Sequence, residues 1–326
     1  MSSFHEWDAK LGWRGKANFE GRFRLLENAS TADDSKRVFV FGDSFTWGWG
    51  VDQGQCFADQ MAARLPSYSV ENFGICGCGT IHQYEYFERH VRSRLNKGDI
   101  VVIAFYGNDF RDNLGMTLDG HLAVKVDGDQ ITEVVPPRPT NSKQFKHWLK
   151  GRCYVFNLAS YLTDSWKMGR RHQRIIEQQA NQVAAAPQKD AVLAQDSEMV
   201  QVAKHYLEKF QADCEASDAR LLVTYIPGRA EIDESELQLE NIGHGLQRAY
   251  HDALTECCQS LDIEVVELEP AIAEAKQRKE CERVTFRNDM HWNEHGHRIC
   301  GRVLANHIGD DSVVRSAKSN PETRIR

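Results

Sequence analysis

Three runs of β-branched and aromatic residues, at 37–41, 68–73 and 99–106, alternate with stretches that read as helices, at about 55–65 and 81–95. That alternation constrains the fold more than any other feature. Parallel strands need a crossover long enough to hold a helix, so strand, helix, strand, helix, strand implies a parallel sheet with helices on both faces. The rhythm breaks between about 114 and 198. There, 121–135 alternates apolar and polar residues around Asp127-Gly128-Asp129, the pattern of a β-hairpin, and Pro136, Pro137 and Pro139 make a stiff connection. Val155, Leu158, Ala159, Leu162 and Trp166 then share one helical face, which either packs on the body or lids an acyl-binding groove. The alternation resumes with a helix near 199–217, a strand at 220–226, a helix near 241–260, a strand at 263–268 and a last helix near 294–307. The expectation is one α/β domain over 35–309 with an insertion or cap at about 114–198. An extension over 1–34 precedes it, and a polar, mobile tail over 310–326 follows.

Composition narrows the function. With 41% hydrophobic and 27% charged residues, the 326-residue chain has material for a sizeable core. A net charge of −7 argues against general affinity for nucleic acid or acidic membranes. The longest strictly apolar stretch, at 100–106, falls far short of the ~20 residues that cross a bilayer, and the amino-terminal residues lack a signal-peptide core. No integral membrane segment is expected. The expected location is the cytoplasm, or the envelope if an amino-terminal anchor has been removed. Nine scattered cysteines, an odd number, fit reduced thiols better than a disulfide framework. The close pairs Cys76/Cys78 and Cys257/Cys258 lack the spaced halves of a zinc site, and no histidine follows at finger spacing. No metal and no cofactor are therefore expected.

Open α/β sheets place their sites at the carboxyl ends of the strands. The first strand ends in Gly42-Asp43-Ser44-Phe45, the second in Asn72-Phe73-Gly74-Ile75-Cys76-Gly77-Cys78-Gly79, and the third in Gly107-Asn108-Asp109. Asp289-Met290-His291 lies just before the last helix. A serine needs a base to take its proton, the base needs an acceptor to fix its tautomer, and an oxyanion needs donors. A serine at a turn, glycines that free backbone N–H groups, an asparagine amide and an Asp/His pair supply these parts. Each part alone has an ordinary structural reading. Their order at successive strand ends is what is specific.

These blocks resemble those of the SGNH, or GDSL-like, hydrolases, over roughly 37–113 and 221–307. Gly42, Asp43 and Ser44 match the first block, Gly77 after Asn72 the second, Gly107, Asn108 and Asp109 the third, and Asp289 and His291 the last. Gly74 and Gly79 are alternative matches for the second. The resemblance implies a flavodoxin-like three-layer α/β/α fold. It implies Ser44 as nucleophile, His291 as base, Asp289 as the acid orienting it, and an oxyanion hole from the Ser44 and Gly77 N–H groups and the Asn108 side chain. Only Met290 separates Asp289 from His291, where many members have two residues, so a purely structural Asp289 stays open. His295 and His297 remain alternative bases. Trp47 and Trp49 read equally as core or as a stacking surface for a sugar or acyl chain, and Cys76 and Cys78 as buried packers rather than redox partners. Leu11-Gly12-Trp13-Arg14 resembles a stretch preceding the catalytic body of larger bacterial members, which look like enzymes of surface-polysaccharide or envelope metabolism.

The resulting expectation is a serine ester hydrolase acting through an acyl-enzyme on a small-molecule or carbohydrate ester, removing a small acyl (acetyl) group. A lipid-type acyl ester or thioester is the chief alternative substrate. Acyl transfer with the same triad, and a non-catalytic carbohydrate-binding relative, are the alternative functions.

Overall fold

The computed structural model describes residues 5–15, 26, 36–115, 121–128, 130–136, 140–156, 198–232, 241–287 and 289–319. Among these the chain opens on a hairpin absent from the sequence reading, β1 (His5–Asp8) and β2 (Gly12–Gly15). The sheet begins at β3 (Lys36–Gly42) and continues with β4 (Tyr68–Gly74), β5 (Ile100–Tyr106), β8 (Arg220–Ile226) and the short β9 (Glu264–Val265). Its five strands run in the order β4-β3-β5-β8-β9, all parallel. Counted from β3 this is 2-1-3-4-5, the flavodoxin order, whose switch point lies between β3 and β5.

Both faces of the sheet are dry, which is why the strands read as unbroken apolar runs. Side chains alternate: Phe39 and Phe41 of β3 with Val101, Ile103 and Phe105 of β5 enter one core, Val38 and Val40 with Ile100, Val102 and Ala104 the other. The first core is closed by α3 (Thr80–His90), α6 (Glu198–Ala216) and α8 (Asn241–Ser260), through Phe87, Phe210 and Leu254. The second is closed by α2 (Phe57–Ala62), α9 (Glu269–Gln277) and α10 (Glu294–Ser319), through Met61, Ile272 and Leu304. Phe41 stacks on Phe73 at 5.0 Å and meets Phe210 at 5.9 Å. Each such fully buried side chain contributes roughly 1.5–3 kcal/mol relative to exposure.

The insertion carries β6 (Ala123–Asp127), antiparallel to β7 (Gln130–Val134), so the Asp127-Gly128 signal does mark a hairpin. A helix, α5 (Asn141–Arg152), follows that the periodicity did not announce. Of the apolar stripe only Val155 lies among the described residues, where it is exposed; Leu158, Ala159, Leu162 and Trp166 lie outside them, as do Pro137 and Pro139. The amino-terminal hairpin docks on α3 and the insertion. Leu122 N–H donates to Leu11 O at 2.9 Å, Lys10 pairs with Glu85 and Glu133, and Arg89 reaches Asp8 at 2.8 Å.

Two expected boundaries need correction. The last strand, at the edge beside β8, is paired only at Glu264–Val265. The last helix runs to Ser319, so it extends through 310–319 of the expected tail. Polar composition suggested the tail, but Gly309 costs only about 1 kcal/mol in a helix, and the first residue that must stop one is Pro321.

Candidate active site

Ser44 opens a one-turn helix, α1 (Ser44–Trp47), directly after β3. The Asp43 side chain caps it by accepting the Phe45 N–H at 2.9 Å, and Gly48 ends it in the left-handed conformation. The neighbouring strand end holds this turn in place. Asn72 donates through Nδ2 to Thr46 O at 2.7 Å and accepts the Gly74 N–H at 2.8 Å. Gly74 is packed so closely that a Cβ there would lie 2.2 Å from Trp47 N. Gly77, in the loop between β4 and α3, has φ +71°, the left-handed region that favours glycine. Gly79 instead caps α3 and abuts Asn113, so Gly74 and Gly79 each have a packing reason to be glycine.

His291 lies on a loop pinned on both sides. Phe286 N–H donates to His291 O at 3.0 Å, and Asn293 ties the loop to Arg283 O and Thr285 O while capping α10 through the His295 and Gly296 N–H groups. Buried Phe45 packs against the imidazole with ring centroids 4.9 Å apart, and buried Trp292 meets Phe45 edge-on in turn. Ser44 Oγ lies 2.7 Å from His291 Nε2, and His291 Nδ1 lies 2.5 Å from Asp289 Oδ1, which also accepts the His291 backbone N–H. Burial alone would raise the Asp289 carboxyl, but the amide and ring N–H of His291 outweigh it and hold it below the usual carboxylate range. The alternative histidines are engaged elsewhere: His297 is fully buried, accepting the Phe57 N–H, and His295 pairs with Glu294. The tilted, exposed Trp49 ring stands 5.9 Å from His291, with exposed Met290 beside it.

At the third strand end Asn108 precedes α4 (Asp109–Asn113) and donates through Nδ2 to Asp112 Oδ2 at 2.7 Å. Sequence reasoning missed Asp112, whose one signal was its four-residue spacing from Asn108 on a helical turn. Three buried carboxyls, Asp43, Asp109 and Asp112, gather here. Burial raises Asp43 to about 7; the Phe45 N–H and the Asn108 amide oppose it, and the charge of Asp112 adds to it. Asp109 is raised well above its usual value, by burial first and then by its two acidic neighbours. Gln83 donates to Asp109 Oδ2 at 3.1 Å.

A doubly wound parallel sheet with serine, imidazole and carboxylate in hydrogen-bonded series at the carboxyl ends of its strands is the arrangement of a serine hydrolase. The chain belongs to the GDSL-like lipase/acylhydrolase family, whose model matches residues 40–299. Among solved structures it is similar to a lipolytic G-D-S-L family protein from Veillonella parvula, at 13% identity and TM-score 0.45, covering 83% of this chain and 97% of that one. It is also similar to a catalytic mutant of an acetylxylan esterase from Geobacillus stearothermophilus (12%, TM-score 0.45, 84% and 94%). A third similar structure is an α/β hydrolase from the metagenome of Lake Arreo, Spain (12%, TM-score 0.47, 84% and 95%). No curated protein matches the chain. None of these likenesses identifies a substrate. Among the described residues no helix is long and apolar enough to cross a membrane.

Proposed function

We propose that the protein is a serine esterase in which Ser44 is the nucleophile, His291 the general base and Asp289 the group that orients the imidazole. The observation that carries this reading is the unbroken series of Ser44 Oγ to His291 Nε2 at 2.7 Å and His291 Nδ1 to Asp289 Oδ1 at 2.5 Å. Ser44 Oγ attacks the ester carbonyl while its proton passes to Nε2. The tetrahedral intermediate collapses, the alcohol leaves with that proton, and water repeats the sequence on the acyl-enzyme to release the acid. The oxyanion would be held by the N–H groups of Ser44 and Gly77 and by Asn108. An amide has two N–H groups, so the bond to Asp112 leaves one for the oxyanion, in competition with Asp43. Neutral Asp43 and Asp109 suit this role, because ionised carboxylates behind the hole would oppose the developing charge.

The substrate class that fits best is a small acyl group, acetyl first, on a carbohydrate or related metabolite. The exposed faces of Trp49 and Met290 beside His291 support it, since a sugar ring stacks on such a surface. A lipid-type ester or thioester is the second reading, favoured by the exposed, stacked Phe145 and Trp148 on α5. Nitrophenyl esters of increasing chain length, assayed beside acetylated sugars, separate the two. Product analysis with an acyl donor and a sugar acceptor separates hydrolysis from acyl transfer. A serine-directed fluorophosphonate should label Ser44 alone; labelling elsewhere overturns the assignment.

A further inference from the structure

We propose that Cys78, His82 and His121 form a binding site for a divalent transition-metal ion, zinc by preference, behind the loop that carries Gly77. Cys78 ends that loop, His82 lies in the first turn of α3, and His121 stands at the entry to the β6–β7 hairpin. The fold brings one ligand atom from each to within 4.8 Å of the others. A tetrahedral zinc with N and S ligands has edges of about 3.5 Å, so side-chain adjustments on the order of an ångström close the site. The two imidazoles meet edge to face, with centroids 6.0 Å apart, which directs both rings into one space.

Burial is the second, independent observation. Cys78 is 3% exposed and His82 1%. His82 Nε2 is buried and makes no well-formed hydrogen bond, only a weak contact with the backbone of Leu122. A buried polar atom left this way calls for a partner. One thiolate and two neutral imidazoles are soft and borderline donors, which suit zinc or cobalt and not magnesium or calcium. Burial holds the His82 ring neutral, with a value down to about 3, as a ligand requires. Burial raises the Cys78 thiol well above its usual value, so its proton must be displaced for the sulfur to ligate.

Binding forms one metal–sulfur and two metal–nitrogen bonds, and the Cys78 thiol proton leaves to solvent. His82 Nδ1 accepts the Gly79 N–H at 3.2 Å, which places the ring proton on Nε2. Ligation moves that proton to Nδ1, and this long hydrogen bond is given up. Three protein ligands leave a fourth position for water. None of the three ligands belongs to the Ser44–His291–Asp289 series. It would join the loop after β4 to the start of the insertion.

The test uses the full chain, stripped with a chelator and titrated with cobalt(II) and then with zinc. One equivalent of cobalt should bind with a thiolate-to-cobalt charge-transfer band, zinc should displace it with release of about one proton, and zinc should raise Tm reversibly. Cys78→Ser should abolish the charge-transfer band. His121→Gln, at a half-buried position, should weaken binding at least about 10-fold while the chelated variant keeps the wild-type Tm. His307→Gln, on the opposite core's helix, should bind as the wild type does. Absence of a stoichiometric thiolate-to-cobalt band, or equal affinity in His121→Gln, overturns the proposal. The charge-transfer band distinguishes this site from adventitious binding at His291, which has no thiolate.

Discussion

Ser44 and His291 meet across 247 positions of sequence, yet each had a local signal: a strand-end Gly-Asp-Ser and an Asp-Met-His before a helix. Replacing Ser44 by Ala should abolish ester turnover and leave Tm unchanged, because its hydroxyl makes no core contact that the fold needs. Asp289→Asn should lower kcat by up to ~10⁴-fold if Asp289 acts as a triad acid does. A loss of only a few-fold would assign it a structural role. Asp112 was not legible, because a carboxylate four residues along a helical turn reads as an ordinary solvated pair. Its part-buried bond to Asn108 makes it a positioning residue for the amide. Asp112→Ala should lower kcat about 10-fold, less than the ~10²–10³ of losing an oxyanion donor outright, with KM unchanged. Asp112→Asn, which keeps an acceptor, should restore most of that loss. Equal changes in kcat and KM, or no rescue, would speak for general misfolding instead.

The elements decide how well those residues are held. The turn α1 rests on the end of β4, and both Asn72 and Gly74 are there for it. Gly74→Ala would press a methyl into the Trp47 backbone, which cannot yield as a flexible side chain does. It should destabilise by about 3 kcal/mol, the upper end for overpacking, and reduce activity together with Tm. Wild-type Tm in that variant would mean the turn is looser than its contacts imply. The helix α5 offers a contrasting test. If it shelters a long acyl chain, Phe145→Ala with Trp148→Ala should depress hydrolysis of long-chain esters while acetyl esters are unaffected. Equal activity on both would leave α5 with no part in substrate choice.

Over the whole molecule, buried charge sets a pH dependence of stability. Asp43, raised to about 7, keeps in the folded state a proton that the unfolded chain loses near its usual value of 3.8. Stability therefore falls as pH climbs through that window and has lost the whole contribution above about 7. Asp109 acts in the same direction. Asp8 acts oppositely: burial would raise it, but Arg89 and the Leu11 and Lys10 amides hold it at about 2, so its contribution is present above 3.8 and fades in acid. Tm should be highest in mildly acidic buffer and decline by several degrees toward about pH 8. Asp43→Asn should flatten that decline. An unchanged slope would mean that Asp43 is ionised in the folded protein.

What the sequence determined by itself is local: the apolar runs of β3, β4, β5 and β8, the helices between them, and the polar residues at their carboxyl ends. Such signals survive because strand and helix periodicity and turn chemistry act over a few neighbouring residues. Periodicity alone did not give the order 2-1-3-4-5, which the family resemblance implied, and the short pairing of β9 came only from the tertiary structure. The hairpin β1–β2 has little apolar alternation of its own and is held by Lys10, Arg89 and Leu11 against distant partners. The cluster of Cys78, His82 and His121 belongs to the same kind. Its cysteine lacks a Cys-x-x-Cys partner in sequence, and its third member comes from an insertion whose approach to α3 is set by long-range packing rather than by any local pattern.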